Sequence, residues 1–279
     1  MNKFLNIAGY KFVAQTEDQL KILREQLFTE ANRLNIKGTI LLSEEGINAF
    51  VAGSVSEINQ FRQFITSIPP YSDIIFKDSF SDEIPFSRML VRIKNEIITM
   101  GHQEIKPENQ PVNALDPATL KQWYNENREF TILDTRNDYE VALGTFDNAI
   151  DLNIENFREF PDAVTLLPDE IKSKPVVTFC TGGIRCEKAA LYMQKHGFKE
   201  VYLLQGGILN YFSEVGGEHY HGECFVFDKR ISVDPELNPT ETDRCYAHTE
   251  INTAADLQES LACPYCLHLK ESRKTERVA

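Results

Sequence analysis

The sequence predicts an α/β protein with more than one domain. A chain of 279 residues is long for a single domain. Its first part alternates β-branched runs with amphipathic helical patterns. Later, residues 130–134 and 176–179 form continuous apolar runs, which are typical of buried parallel strands. The chain after residue 217 contains ligand-like cysteine and histidine pairs, so we expect two α/β domains and a small Cys/His-containing C-terminal region.

The N-terminal elements follow the order βαββαβ, which is the ferredoxin-like arrangement. Thr16 begins a capping box with Gln19, and Ser54 begins another with Glu57, so a helix is predicted after each. Strands are predicted at residues 4–14, 39–42, 47–52 and 74–77.

A further alternating strand is predicted at residues 88–94. Its apolar face holds Met89, Val91 and Ile93, and its other face holds Arg88, Leu90, Arg92 and Lys94. A solvated strand face explains the three cations. A stripe that contacts RNA phosphates is the alternative.

A proline-containing segment with little apolar content separates the two halves of the chain, and we interpret it as a linker. Asp116 then caps a helix that has Pro117 at its first position. The predicted boundaries are a first domain at 1–100, a linker at 101–121, a second domain at 122–217 and a C-terminal region at 218–279.

A reactive cysteine is predicted at Cys180, directly after the strand at 176–179. Gly182 and Gly183 let backbone N–H groups turn toward the sulfur, and Arg185 and the start of a helix add positive charge. These features favour the thiolate and lower the pKa of the thiol. The alternative is a small buried side chain at a strand end. The candidate active-site loop comprises Thr181, Gly182, Gly183, Ile184 and Arg185.

Two neighbours of this loop have narrower roles. Asp134 ends the strand at 130–134, and we expect it to organise backbone N–H groups rather than to act as an acid–base catalyst, because a carboxylate close to the sulfur would oppose thiolate formation. Cys186 falls on the apolar face of the next helix, so packing against the sheet is favoured over a disulfide with Cys180.

A structural zinc site is a hypothesis for the C-terminal region, where three thiols and one imidazole suit tetrahedral zinc. Reduced, unliganded hairpins are the alternative, and a Cys-x-x-His pair is the weaker half of the signal. The candidate ligands are Cys245, His248, Cys263 and Cys266, with His219, His221 and Cys224 nearby as competing or incidental groups.

Composition excludes several classes of protein. The net charge of −13 argues against a generally basic nucleic-acid binder, yet residues 1–100 carry a net charge of only −1 (11 cationic against 12 anionic side chains). No apolar run is as long as a membrane span, and the N-terminus lacks the pattern of a signal peptide. Six cysteines, one of them in a reactive loop, suggest a reducing compartment, so we expect a cytoplasmic protein with no membrane partner.

The loop "CTGGIR" (180–185) resembles the active-site loop of rhodanese-like domains, which carry sulfur as a cysteine persulfide. "LDTR" (133–136) with Glu140 resembles the Asp-x-Arg-x-x-x-Glu signature of the same domain, which implies that Arg136 organises the loop together with Asp134. The resemblance covers residues 122–217. Sulfur-handling members have this six-residue loop, whereas related phosphatases have one residue more. By that resemblance a tetrahedral phosphate would fit poorly.

Four strings together resemble the rhodanese-like tRNA uridine hydroxylases: "KGTILLSEEGINAFVAG", "RMLVRIKNEIITMG", "CTGGIRCEKAA" and "CFVFDKR". In that family an acylphosphatase-like domain precedes the rhodanese domain. The resemblance implies an oxidoreductase that converts the wobble uridine (position 34) of certain tRNAs to 5-hydroxyuridine. It also implies molecular oxygen as co-substrate, the tRNA anticodon loop as partner and Cys180 as the active-site cysteine, expected to form a persulfide.

Family members often carry Cys-x-x-Cys where this chain has Cys245-x-x-His248, a departure that weakens the carried-over metal site. No flavin or haem motif is visible. Two alternatives stay open. One is a thiosulfate-type sulfurtransferase that passes sulfane sulfur to a small molecule or a protein thiol. The other is a non-catalytic relay module loaded by a sulfur donor.

Overall fold

The computed structural model describes residues 4–244 and 251–252 of the chain, and its first domain confirms the predicted βαββαβ order. The strands are β1 (Phe4–Phe12), β2 (Lys37–Ser43), β3 (Gly46–Ser54), β4 (Phe76–Ser81) and β5 (Met89–Ile93). They form one sheet in the order β4-β1-β3-β2-β5, in which only β2 and β5 pair in parallel. Helices α1 (Glu17–Arg33) and α2 (Val55–Ser67) share the core of this sheet.

Both predicted capping boxes are present, because the Thr16 and Ser54 hydroxyls accept from the N–H groups of Gln19 and Glu57. The fourth strand begins later than predicted, since Ile75 is 70% exposed and lies before it. The alternation of β5 holds for the buried Met89 and Val91 and ends at Ile93, which is exposed.

The second domain is built on the expected parallel sheet, in the order β6-β11-β10-β7-β9. Its strands are β6 (Asn113–Leu115), β7 (Thr131–Asp134), β8 (Gly144–Phe146, outside the main sheet), β9 (Ile150–Asp151), β10 (Pro175–Phe179) and β11 (Glu200–Leu204). Its helices are α3 (Pro117–Asn125), α4 (Asp138–Val141), α5 (Phe160–Thr165), α6 (Asp169–Lys172), α7 (Ile184–Lys195) and α8 (Gly207–Val215). Short 3-10 turns lie at Pro69–Tyr71, Pro107–Asn109 and Phe157–Glu159.

The segment predicted as a linker contributes to this second sheet. β6 lies inside residues 101–121 and pairs in parallel with β11, so this segment supplies an edge strand. The domain boundaries themselves stay a prediction.

The C-terminal segment returns across both domains. β12 (Tyr220–Gly222) pairs with β8, β13 (Cys224–Phe225) pairs with β14 (Ser232–Val233), and β15 (Asp243–Arg244) pairs with β16 (Ile251–Asn252). Between β13 and β14, the Arg230 guanidinium donates to the Ser79 hydroxyl over 2.7 Å, and the Lys229 N–H donates to the Pro85 carbonyl. This segment therefore ties the second domain to the first.

A buried ion cluster also joins the domains. Lys188 on α7 is 1% exposed, and its Nζ lies 2.7 Å from the carboxylates of both Glu45 and Glu96. Burial raises the pKa of Glu45 despite this lysine. Burial acts the same way on Glu96, but Lys188 and the N–H groups of Met100 and Gly101 outweigh it and lower the pKa of that carboxyl. None of the described helices is long and apolar enough to cross a membrane.

Candidate active site

Cys180 lies at the carboxyl end of β10, directly before the loop that leads into α7. Its residue surface is fully buried, and its Sγ accepts a hydrogen bond from the Gly183 N–H over 3.1 Å. The N-terminus of α7 begins at Ile184, so the positive end of the helix dipole adjoins the loop. The structure thus brings the predicted loop residues 180–185 into one turn around a sulfur atom.

The surroundings of Cys180 favour the thiolate. Burial by itself would raise the pKa of this thiol. The hydrogen bond from Cys186, the charge of Arg185 and the N–H groups of Arg185 and Gly183 act against burial and lower the pKa well below its ordinary value. Cys186 lies in the same buried cluster, and its own pKa is raised by burial and by Cys180. Both thiols are free, and Cys186 packs in the core as its helical phase predicts.

Two buried ion pairs lie close to the loop, and one of them includes the loop residue Arg185. The Arg185 guanidinium donates to both carboxylate oxygens of Glu140 over 2.6 and 2.7 Å. Asp134 accepts from the Arg136 side chain and from the Arg136 backbone N–H, and both of these side chains have no exposed surface. Thr181 Oγ1 lies 3.2 Å from Glu140, which links the loop to this network. The two ion pairs meet at Glu140, because the Arg136 guanidinium donates to the Glu140 backbone carbonyl over 3.3 Å.

A glycine allows the loop to pack against the start of α8. Gly207 has φ +68°, and a Cβ at this position would lie 2.3 Å from the Cys180 carbonyl oxygen. A side chain would therefore push against the backbone of the cysteine itself. This close approach is the physical reason for a glycine at position 207.

The first domain reaches the loop through side chains that sequence reasoning missed. Lys77 Nζ donates to the Gly182 carbonyl over 3.0 Å, and Tyr10 OH donates to Glu187 on α7 over 3.2 Å. Burial lowers the pKa of Lys77 and raises the pKa of Glu187. These residues lie in strands with no motif and are distant in sequence from the loop, so no local signal marks them.

A cavity opens beside the cysteine, between the two domains. It has a volume of about 1010 Å³, and we call it the Cys180 cavity. Its walls include Cys180 and Arg185 from the second domain, Asn48 and Phe50 from the first, and Phe227 from the C-terminal segment. Ligand sites of small molecules typically span about 300–1,000 Å³, so the volume is sufficient for a nucleotide.

A second feature lies at the edge of the first domain. We call it the basic groove: Lys21 and Arg24 of α1 face Arg92 and Lys94 at the end of β5. Its volume is about 470 Å³, and Lys94 lines both this groove and the Cys180 cavity. Arg88 is exposed before β5 and does not line the groove. The helical cations Lys21 and Arg24 were missed because their charge periodicity resembles that of any solvated helix.

The candidate zinc ligands Cys245, His248, Cys263 and Cys266 lie outside the described residues. Within the described part of the chain, no group of three or more His, Cys, Asp or Glu side chains is arranged to hold a metal ion. Burial raises the pKa of Cys224 to about 12, so this thiol stays neutral.

The pKa of Cys180 predicts a measurable titration. A thiolate forms above the pKa of its thiol, so the ultraviolet thiolate absorbance should rise with pH and level off above the folded-state pKa. We expect a midpoint within the range of about 3.5–7.5 that activated cysteines show. The difference between wild type and Cys180→Ser isolates this residue from the other cysteines. A midpoint near the ordinary value of about 8.5 would contradict the described environment.

Two family models match this chain, one in each half. A family model described as UPF0176 acylphosphatase like domain matches residues 4–97, and the model for the rhodanese-like domain matches residues 116–214. Both parts of the predicted fold class are thereby confirmed. Among solved structures, a rhodanese-like domain protein from Staphylococcus aureus aligns over 36% of this chain and 91% of its own, with 24% identity and a TM-score of 0.31.

Curated relatives match nearly the whole chain. The tRNA uridine(34) hydroxylase of Cupriavidus pinatubonensis is 45% identical over 275 residues, which cover 95% of this chain and 97% of that protein. The tRNA uridine(34) hydroxylase of Bordetella petrii is 48% identical over 244 residues, which cover 86% of this chain and 96% of that protein.

Proposed function

This chain belongs to the tRNA uridine(34) hydroxylase family, and on that premise we propose that Cys180 is where it converts the wobble uridine of tRNA to 5-hydroxyuridine. The observation that carries the proposal is a cysteine on the wall of a nucleotide-sized cavity, with the Gly183 N–H donating to its Sγ. The loop supplies backbone N–H groups and Arg185 at the sulfur, which stabilise negative charge there.

The cavity imposes a condition on the substrate. A base stacked in a helix cannot reach a thiol that lies between two domains, so the target nucleotide leaves its stack and enters the cavity. Bases in single-stranded loops do this at low cost. The wobble base of an anticodon loop therefore suits this site better than a base in a duplex.

The hydroxylation needs an oxidant and a reductant. Insertion of one atom of molecular oxygen into the C5–H bond of uracil leaves the other atom to be reduced to water by two electrons and two protons. We propose molecular oxygen as the co-substrate because the relatives are named as hydroxylases. The residues of the loop hold the sulfur and its charge, and the electrons come from an external reductant.

We also propose that Cys180 carries a persulfide, in line with the rhodanese-like loop. The thiolate would attack the sulfane sulfur of a donor, forming a new S–S bond while the donor's thiol leaves. A folded-state pKa below the ordinary value keeps the attacking thiolate populated at neutral pH. We place the protein in the cytoplasm, where its tRNA substrate is found, with no membrane partner.

The basic groove is the proposed contact for the tRNA backbone. It carries four cations on a protein of net charge −13, and Ile93 and Lys94 line both the groove and the Cys180 cavity. A phosphate held there would lie at the mouth of the cavity that receives the base. Arg88 remains a proposed contact outside the groove.

We expect Arg92→Ala with Lys94→Ala to weaken tRNA binding and to reduce the slope of log Kd against log salt by about 1–2, because each lost phosphate contact removes about one unit. Lys199→Ala, a change at an exposed lysine of the second domain, serves as the matched control. Equal salt slopes for the groove variant and the control would show that the groove is not part of the tRNA-binding surface.

The function is tested by mass spectrometry of tRNA nucleosides from a strain that lacks the gene, complemented with wild type or with Cys180→Ser. We expect 5-hydroxyuridine-derived wobble nucleosides to disappear and to return only with wild type. If they persist in the deletion strain and no other enzyme supplies them, the proposal fails. Sulfur transfer without RNA would then become the leading function.

A further inference from the structure

We propose that Phe227, with Phe50 beside it, forms the stacking surface for the target base in the Cys180 cavity. The inference rests on the proposed function, because it assigns a place to the uracil on which that function acts. It makes Phe227 a positioning residue that holds the base near the sulfur. The sequence string "CFVFDKR" contains Phe227 but gives no sign of this role.

The exposure of Phe227 needs an explanation. Its side chain is 44% exposed, although it lies on the wall of a cavity and next to other aromatic rings. The two preceding residues, Phe225 and Val226, are buried in the core, whereas the ring of Phe227 stays exposed. An aromatic ring left exposed on the wall of a cavity is available to a flat ligand.

The segment that carries Phe227 is held in place on both sides. The Phe225 carbonyl lies 3.3 Å from Thr181 Oγ1 in the active-site loop, and the Val226 N–H donates to the Ile231 carbonyl over 2.7 Å. Asp228 pairs with Arg230, which also contacts the first domain through Ser79. The position of the ring is therefore set by the loop and by both domains.

The ring lies between the catalytic loop and the first domain. The Arg185 guanidinium lies over the ring of Phe227, 5.8 Å from its centroid, and the Phe50 ring is 5.9 Å away with its plane tilted by 52°. Arg185 is also the cation that stabilises the Cys180 thiolate. A base stacked on the other face of Phe227 would consequently lie one ring away from the group that activates the sulfur.

The chemistry of the surface fits a nucleobase. Aromatic side chains stack on the π-faces of bases that have left their helix, and truncating one to alanine costs about 5- to 100-fold in binding per base. Stacking tolerates every base, so this surface would orient the ring and leave the choice of uracil to polar groups. Phe50 comes from β3 and Phe227 from the C-terminal segment, so the surface exists only when both parts are docked.

The first test compares variants of the full-length protein on an anticodon stem-loop RNA with uridine at the wobble position. We expect Phe227→Ala to raise KM about 5- to 100-fold, with a smaller effect on kcat, and Phe227→Tyr to restore wild-type KM. Phe227→Leu keeps an apolar side chain without a π-face and should stay impaired. Phe28→Ala, a change at a ring 47% exposed on α1 and outside the cavity, is the matched control.

The second test does not depend on turnover. Phe227→Trp places a fluorophore at the site, and stacking should quench it on addition of the stem-loop but not of the same RNA abasic at the wobble position. The same titration on wild type subtracts the signal of Trp123. If Phe227→Ala has the KM of wild type, or if both RNAs quench equally, stacking at Phe227 is refuted. If wild type itself makes no 5-hydroxyuridine, the proposed function has failed instead.

Discussion

Replacing Cys180 by serine is expected to lower the rate of 5-hydroxyuridine formation on tRNA by at least about 10³-fold. The serine hydroxyl has almost the same shape as the thiol, but it stays neutral at neutral pH and cannot take up sulfane sulfur. The hydrogen bond from Gly183 and the charge of Arg185 would then face a neutral group. Single-turnover assays with nucleoside mass spectrometry measure the loss.

Cys224→Ala provides the control for this variant. Cys224 is equally buried and free, but it does not line the Cys180 cavity, so its replacement should leave the activity in place. Thermal unfolding of both variants separates loss of folding from loss of chemistry. A Cys180→Ser protein that is folded and within about tenfold of wild-type rate would show that the reaction does not use this sulfur.

Replacing Lys188 by methionine is expected to lower the free energy of unfolding by about 3 kcal/mol. Methionine has a similar length but no charge, so the carboxylates of Glu45 and Glu96 would remain at the domain interface without their shared cation. Leaving a buried charge unpaired costs more than the pair itself contributes. Urea titration of wild type and variant gives the difference.

The deficit of this variant should depend on pH with a defined sign. Without the lysine, the folded-state pKa of each carboxyl rises, so the deficit is full above that pKa and shrinks as protons bind at lower pH. Lys195→Met, a change at an exposed lysine of the same helix, should shift stability by no more than about 0.5 kcal/mol. If both variants lose the same free energy at every pH, the buried cluster does not stabilise the domain interface.

Elements with strong local signals were predictable from the sequence. Capping boxes at Thr16 and Ser54 and the cap at Asp116 placed three helix starts, because each depends on contacts within four residues. The start of the fourth strand was predicted too early, because the hydrophobic residues near Ile75 suggested a strand interior. The side chain of Ile75 is in fact exposed. β6 was missed because a three-residue edge strand among prolines has no periodicity, and only its pairing with β11 defines it.

The same distinction applies to the candidate site. The loop at 180–185 and its charged neighbours could be found because a strand, two glycines and a helix start lie together in the sequence. Tyr10 and Lys77 could not, since they reach the loop through the docking of two domains. Phe227 follows the same rule. A ring in a short C-terminal segment acquires a function only through what the fold places beside it.

The central claim is that this chain hydroxylates the wobble uridine through Cys180. Its most direct test is mass spectrometry of anticodon nucleosides from tRNA incubated with persulfide-loaded purified protein, a reductant that is not a thiol and oxygen-18 gas. We predict heavy oxygen at the wobble uridine with wild type and none with Cys180→Ser. Two results would contradict the central claim: unmodified tRNA after incubation with wild-type protein whose Cys180 is intact, or equal labelling by wild type and Cys180→Ser.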